Sequence, residues 1–246
     1  MPPIHRLGDD FVAFYLVDHP DGLVLVDAGL PAHLPRLRDH LSRSGRSLRD
    51  IRSVLLTHGH PDHTGLAAAL NDAGADVWIH RLDAAILADG PRSALRHAKP
   101  ERSMLPYLLR RPGAIGAPLH LARKGGFTAK PVRTVRTFDG DQRLDDVPGR
   151  PQAISLAGHT PGSAAYHFAD LGVLFTGDAL VTHDGLTGRT GPTLVCRGFT
   201  HDSKAALASL DRLARVPASL LLPGHGESFD GGPLAAADHA RRLGVR

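Results

Sequence analysis

Three histidines and an aspartate fall within six positions of this 246-residue chain, in the stretch THGHPDH that spans residues 57–63. A short apolar run precedes the stretch and a helical pattern follows it, so these side chains occupy a strand-to-helix loop. Because positions two apart in an extended segment face the same way, we expect His58 and His60 to bind one ion together. Asp62 and His63 point elsewhere, which suits a second ion. Such nitrogen and oxygen donors favour zinc, with iron or manganese as alternatives.

Three further loops have the same design, in which an apolar strand ends in a glycine-containing turn with a histidine or aspartate. They carry His159, Asp178 and His225. Ligand sites in α/β proteins gather at strand ends because the core fixes the strand while the loop displays its side chains. Each of these residues alone would be interpreted as a surface or core-edge residue without a role in metal binding. The alternative interpretation of residues 57–63 is a solvated loop with helix-capping residues. Together, the four loops predict one polar site.

The elements that must position these loops can be read from the apolar periodicity. Strands are predicted at 11–17, 23–27, 54–56, 76–79, 153–156, 163–168, 172–175 and 219–222. Helices are predicted at 34–44, 66–73, 201–213 and 234–243. This alternation predicts an α/β fold with helices packed against sheet faces. The candidates for lining the cleft are Tyr166 and four residues that follow Asp178, namely His183, Arg189, Arg197 and His201.

Composition limits the possible classes of protein. The length suits one α/β domain, and the hydrophobic (42%) and charged (22%) fractions are ordinary for a globular protein. The first residues do not resemble a secretory signal, and no apolar run approaches the roughly 18 residues that span a bilayer. The single cysteine, Cys196, excludes an internal disulfide and a cysteine-based metal site, and we expect it to be structural. We therefore expect a cytoplasmic protein.

Residues 81–136 form a basic segment broken by prolines, which we predict to be an insertion beside the site. Between residues 92 and 136 there are eleven Lys or Arg against one acid, so this part carries +10 and the rest of the chain −6. Such asymmetry indicates an anionic partner. Two alternatives stay open. The positive charge can reflect an arginine-rich surface composition without functional meaning, or the segment can lie on the surface without contacting the substrate.

The four loops resemble those of the metallo-β-lactamase-fold superfamily of metal-dependent hydrolases. The matching stretches are residues 57–63, 158–162, 176–178 and 223–226, with LVDAG at 25–29 as the upstream signature. Only the 81–136 segment lies outside the resemblance, which runs from the first hairpin to near the end of the chain. The resemblance implies an αββα four-layer sandwich with the metal site at its edge, built as a single domain over residues 1–246.

The resemblance also implies roles for individual residues. Seven side chains would bind two metal ions: His58, His60 and His159 the first, Asp62, His63 and His225 the second, and Asp178 both. Asp27 and Thr57 would orient the histidine loop without binding metal. Two divalent ions about 3.5–4 Å apart share one solvent molecule and bring its pKa to about 7, giving a hydroxide nucleophile. Asp62 and Asp178 are thus the predicted catalytic residues, and Asp62 can also accept a proton.

The ligand set does not fix the reaction within this superfamily. We expect hydrolysis of a small ester, thioester or lactone, with an anionic substrate favoured by the basic segment. The alternatives are a phosphodiesterase or nuclease, an iron-dependent persulfide-type dioxygenase, and a non-hydrolytic metal-binding or nucleic-acid-binding protein. Tyr107 and Phe127 are the only aromatic residues in the basic segment, which argues against stacked bases and hence nucleic acid. No membrane partner is expected, and the oligomeric state stays open.

Overall fold

The computed structural model describes residues 4–246. In this part of the chain the strands are β1 (Ile4–Gly8), β2 (Ala13–His19), β3 (Gly22–Val26), β4 (Ile51–Leu55), β5 (Asp76–His80), β6 (Arg136–Phe138), β7 (Gln142–Arg143), β8 (Gln152–Ser155), β9 (Ala164–Phe168), β10 (Val173–Gly177), β11 (Val181–Asp184), β12 (Arg189–Thr193) and β13 (Leu220–Pro223). The α-helices are α1 (Leu34–Ser42), α2 (Pro61–Thr64), α3 (Ala67–Asp72), α4 (Ala84–Asp89), α5 (Ala94–His97), α6 (Leu105–Arg110), α7 (Gly116–Arg123), α8 (Ser203–Leu213) and α9 (Gly232–Leu243).

Two mixed sheets organise these strands. The first sheet has the order β1-β2-β3-β4-β5-β6, with antiparallel pairs up to β3 and parallel pairs from β3 onward. The second has the order β13-β10-β9-β8-β7, and only its β10–β13 pair is parallel. Strands β11 and β12 form a separate antiparallel hairpin. Parallel neighbours end at the same edge of a sheet, which gathers the loops that follow them.

The sheets pack face to face because successive strand residues alternate between two apolar layers. In β2, Tyr15 points into the layer between the sheets, where its ring lies 5.4 Å from that of Phe175. Its neighbour Phe14 points the other way, into a layer shared with Leu37 and Leu41 of α1. Helices α1 and α3 therefore cover the outer face of the first sheet.

The outer face of the second sheet is covered in the same way. Leu174 of β10 and Leu221 of β13 belong to one buried cluster with Leu210 of α8 and Ala237 of α9. The order of layers is thus helix, sheet, sheet, helix, which confirms the predicted αββα sandwich. No helix within residues 4–246 combines the length and apolarity needed to cross a membrane.

Some predicted boundaries were wrong, for local reasons. The strand predicted at 11–17 begins at Ala13, because the backbone N–H groups of Phe11 and Val12 donate to the Asp9 carboxylate in a turn. The helix predicted from residue 201 begins at Ser203, because the side chain of Asp202 accepts the N–H groups of its first turn. Strands β1, β6, β7, β11 and β12 were not predicted.

The β11–β12 hairpin also corrects two candidates for the cleft. His183 and Arg189 lie in strands rather than in loops. The Arg189 guanidinium donates to the carbonyl oxygens of Leu243 and Gly244, so it fixes the end of α9. Among the other candidates, the side chains of Arg197 and His201 contact residues 99–101. Tyr166 is fully buried between the sheets, where its hydroxyl donates to the Leu56 carbonyl oxygen, so it does not line a cleft.

Candidate metal centre

The seven predicted ligands meet at one edge of the sandwich. His58 and His60 follow β4, and Asp62 and His63 lie in the single turn of α2. The others come directly after β8, β10 and β13. Their donor atoms form three overlapping groups, each within 4.8 Å: His58, His60 and His159; His58, His63 and Asp178; Asp62, His63 and His225. The tertiary structure therefore brings every predicted ligand into one cluster.

The first group consists of three converging imidazole nitrogens. Nδ1 of His60 lies 3.1 Å from Nε2 of His58 and 2.8 Å from Nε2 of His159. Hydrogen bonding alone does not satisfy all three atoms well, because Nδ1 of His60 has one lone pair for two neighbouring nitrogens. Nitrogens bound tetrahedrally to one zinc at 2.0–2.1 Å would lie about 3.3 Å apart. The spacing of these three atoms fits a shared metal ion.

The other two groups include the carboxylates of Asp62 and Asp178. Nε2 of His225 lies 3.3 Å from Oδ2 of Asp62 and 3.2 Å from Oδ2 of Asp178. The same Asp178 oxygen lies 3.5 Å from Nε2 of His159, and its other oxygen lies 3.4 Å from Nε2 of His63. Asp178 therefore lies between His63 on one side and His159 with His225 on the other, a position in which one carboxylate can bind two ions.

Three buried atoms of these seven side chains lack hydrogen-bond partners among the described residues. One is Nδ1 of His159, and the other two are Nε2 of His63 and Oδ1 of Asp178, in side chains that are almost wholly buried. Leaving a buried polar atom unpaired costs roughly 1–3 kcal/mol, so native proteins seldom do so without a reason. Gly224 packs directly against the side chains of His63 and Asp178, and a Cβ there would lie 2.5 Å from Cε1 of His63. These observations fit a site built to hold metal.

The electrostatics divide the cluster into two sides. Burial lowers the pKa values of His58, His60 and His159, to about 3 for His159, so these imidazoles are neutral at pH 7. Neutral imidazole offers the lone pair that binds a metal. Burial also disfavours charge on His63, but Asp27, Asp178 and Asp62 outweigh it and raise the pKa of His63 to about 9. One side thus presents neutral lone pairs, and the other attracts positive charge.

Asp27 fixes the histidine loop from the end of β3. Its Oδ1 accepts the Thr57 backbone N–H at 2.8 Å, and both oxygens lie within 3.0 Å of the Thr57 hydroxyl. Its Oδ2 lies 2.8 Å from Nδ1 of His63. That contact leaves the unpaired Nε2 of His63 facing the cluster, as a ligand orientation requires. Asp27 adopts a left-handed backbone conformation (φ 58°), which turns the chain at this point.

Asp83 is a site residue that the sequence interpretation missed. This fully buried carboxylate accepts the backbone N–H of Gly59 at 2.8 Å and that of Gly162 at 2.7 Å. It also accepts the Thr160 hydroxyl at 2.7 Å. Asp83 thus joins the loop of His58 and His60 to the loop of His159. It falls at the start of the Pro-broken segment, where no motif or periodicity distinguishes it from a surface aspartate.

The loop before β2 orients the seventh ligand. The carbonyl oxygen of Phe11 lies 2.5 Å from Nδ1 of His225, so Nδ1 donates and Nε2 faces the cluster. Asp9 anchors this loop, because its Oδ2 lies 2.9 Å from Nε2 of His33 and 2.7 Å from Nε2 of His120. His33 and His120 have no ligand spacing in the sequence, and they serve here as positioning residues.

Cys196 takes no part in the cluster. It is buried in a small apolar group with Tyr107, Ala114 and Leu186. Burial raises the pKa of its thiol to about 12, so a thiolate is absent at neutral pH. The expectation that this cysteine is structural agrees with its position.

Comparison with known proteins identifies relatives over most of the chain. The probable metallo-hydrolase YflN of Bacillus subtilis is 25% identical over 93% of this chain and 85% of its own length. A hydroxyacylglutathione hydrolase of Cereibacter sphaeroides is 32% identical over 71% of this chain, but the match covers only 48% of that enzyme. The structure of TTHA1623 in a di-iron-bound form is similar over 99% of both chains, with 26% identity and a TM-score of 0.66.

The family itself is shown by a match over nearly the whole chain. The model of the metallo-beta-lactamase superfamily matches residues 7–225, which include most of the first sheet, the histidine loop and the last predicted ligand. With the four-layer sandwich and the cluster at its edge, this match confirms the resemblance noted in the sequence. The chain belongs to the metallo-beta-lactamase superfamily.

Proposed function

We propose that this protein is a binuclear metal-dependent hydrolase of a small ester, thioester or lactone. His58, His60 and His159 would hold one ion, Asp62, His63 and His225 the other, and Asp178 both. The observation that carries the proposal is the convergence of these donors around buried atoms that have no hydrogen-bond partner among residues 4–246. When bound, two divalent ions lower the pKa of water and polarise a substrate oxygen. Zinc suits the donors, and iron or manganese is the alternative.

Other residues of the protein orient two of these proposed ligands. Asp27 and the Phe11 carbonyl fix the rings of His63 and His225, so both rings turn Nε2 toward the cluster. Asp62 lies 93% buried, with one oxygen 3.3 Å from Nε2 of His225. Although burial raises the pKa of Asp62, its contacts with His63 and His225 hold that pKa well below its usual range. The carboxylate is therefore ionised at neutral pH, which is the form that would bind a metal ion.

The choice of an acyl substrate rests on chemistry and on one relative. A hydroxyacylglutathione hydrolase acts on a thioester, as its name states, and it is similar to this chain over 178 residues. The site has no serine or cysteine placed as a nucleophile, so water activation is the chemistry that these residues support. A small-molecule substrate, anionic in character, is the partner we propose.

A substrate panel tests this proposal. We expect metal-loaded protein to hydrolyse members of a set of lactones, thioesters and aryl esters, and to lose this activity when a chelator removes the metal. Steady-state rates with each compound, measured beside metal content per chain, are the readout. Bis-aryl phosphates belong in the same panel, and activity on those alone would replace the acyl assignment with a phosphodiesterase.

Iron chemistry is a second candidate, favoured by the di-iron form of the similar structure TTHA1623. In that case iron-loaded protein would consume oxygen in the presence of a persulfide substrate, and zinc-loaded protein would not. Equal oxygen uptake with and without the persulfide by the iron-loaded protein would reject this candidate.

Replacing Asp27 with asparagine is expected to weaken metal binding by roughly 10–100-fold, the usual effect of losing a residue that orients a ligand. The amide cannot accept from both Thr57 and His63 as the carboxylate does. Competition with a chromophoric chelator measures the affinity. Replacing Asp18, which pairs with Arg46 at the surface, is the matched control and should leave metal affinity unchanged. Equal affinity for metal in both variants would contradict the orienting role.

A further inference from the structure

Exposed apolar side chains are concentrated in the basic segment. Of the eleven large apolar residues that are well exposed within residues 4–246, seven lie between Leu95 and Phe127. Leu105 and Leu109 of α6 are 60% and 74% exposed, and they lie four residues apart on one face of that helix. Ile115 and Leu119 show the same spacing at the start of α7 and within it. Exposed apolar residues concentrated in one segment of a folded protein fit an interaction site.

The cations of the same segment are equally unpartnered. Of the eleven Lys and Arg residues between positions 92 and 136, only Arg96 and Arg136 form ion pairs within the described part of the chain. Arg111 lies between the two helices, and its side chain has no hydrogen-bond acceptor among residues 4–246. Its guanidinium packs against the turn between β11 and β12, where a Cβ on Gly188 would lie 2.3 Å from its Cζ.

This surface adjoins the candidate metal centre. The Phe11 ring stacks on His120 of α7 at 4.4 Å, and the Phe11 carbonyl binds His225. On another side, Ala117 of α7 lies against the β11–β12 turn. Strand β11 in turn contacts the His225 loop, because the Thr182 N–H donates to the His225 carbonyl at 3.0 Å. Helix α7 thus lies between the two segments that contact His225, a partly exposed member of the cluster.

We propose that this surface, formed by Leu105, Leu109, Ile115 and Leu119 with Arg111, binds an anionic amphiphile with a single acyl chain. The four apolar side chains would contact the acyl chain of the amphiphile, and Arg111 would pair with its anionic group. The bound amphiphile would be the part of the substrate that does not react. The inference therefore rests on the proposed hydrolase function and defines the class of its substrate. A second copy of the protein is disfavoured, because it would bring two segments of +10 charge together.

Calorimetric titration of the metal-loaded protein with 1-decanesulfonate tests the proposal, since a sulfonate is a poor metal ligand. We expect binding that weakens as salt is raised, and at least about tenfold weaker binding of 1-butanesulfonate, which lacks the chain, and of 1-decanol, which lacks the charge. The double substitution L109Q/L119Q should weaken decanesulfonate binding by roughly tenfold or more. R111Q should weaken it and reduce its salt dependence.

L234Q is the matched control, because Leu234 is a 62% exposed leucine on α9, and it should bind decanesulfonate as the parent does. Equal affinity of L109Q/L119Q and the parent would overturn the proposal. So would binding to phosphatidylglycerol vesicles without binding of the monomeric sulfonate, or a dimer in analytical ultracentrifugation that the same substitutions dissociate. Decanesulfonate binding without hydrolysis of any acyl compound would reject only the proposed reaction. Hydrolysis without decanesulfonate binding would reject only this surface.

Discussion

Replacing Asp178 with asparagine is expected to lower kcat/KM by roughly 10³-fold or more and to reduce bound metal from two ions per chain to one or fewer. Its two carboxylate oxygens face His63 on one side and His159 with His225 on the other. An amide keeps the shape of the side chain but loses the negative charge that would hold both ions. Elemental analysis of protein purified without chelator, beside steady-state kinetics on the best acyl substrate, gives both quantities.

The same substitution should leave the fold intact. Burial penalises the charge of Asp178, but the contacts with His225 and His63 outweigh it and hold its pKa well below the usual range, so D178N costs some stability while it keeps the shape of the buried side chain. Asp184 is the matched control: it is equally buried, but it accepts from Leu186 N–H and the Thr187 hydroxyl in the β11–β12 turn. D184N should retain two ions. A D178N protein that keeps two ions and full turnover would remove the basis of the binuclear assignment.

Replacing Asp83 with alanine is expected to lower the free energy of unfolding by about 3–5 kcal/mol. The change leaves three donors without their acceptor, namely the N–H groups of Gly59 and Gly162 and the hydroxyl of Thr160. Each hydrogen bond to a charged acceptor contributes about 1.5–3 kcal/mol, and the removed buried charge gives part of that back. Denaturant unfolding of chelated protein measures the loss.

A positioning role predicts a second effect, which stability alone does not. D83N keeps the volume of the side chain but exchanges one acceptor oxygen for an amide, so the two histidine loops should shift relative to each other. We expect metal affinity to fall by roughly 10–100-fold under conditions where D83N stays folded. The control is D139A, because Asp139 pairs with Arg81 at the surface and such pairs contribute little. Unchanged metal affinity in folded D83N would reduce Asp83 to a structural residue.

Local patterns were sufficient for the main strands and helices, whereas the αββα arrangement was implied by the family resemblance. The apolar runs that end at Val26, Leu55 and Phe175 are buried strands, and the spacing of Leu37 and Leu41 gives α1 its buried face. This works because burial repeats with the period of the element itself, two for a strand and 3.6 for a helix. Short edge strands such as β7, with two exposed residues, carry no such signal. The assignment of residues 1–246 to one domain with an insertion stays a prediction, as does the cytoplasmic location.

By itself, the sequence determined the chemistry of the site: histidine and aspartate donors at strand ends, without a cysteine or serine nucleophile. Only the tertiary structure decided which donors share a group, how Asp83 joins two loops, and how Phe11 orients His225 across 214 residues of chain. The physical reason is that a residue's type and its neighbours report burial and local conformation. The partner of a buried carboxylate or imidazole is set by packing between distant segments, which leaves no period in the sequence.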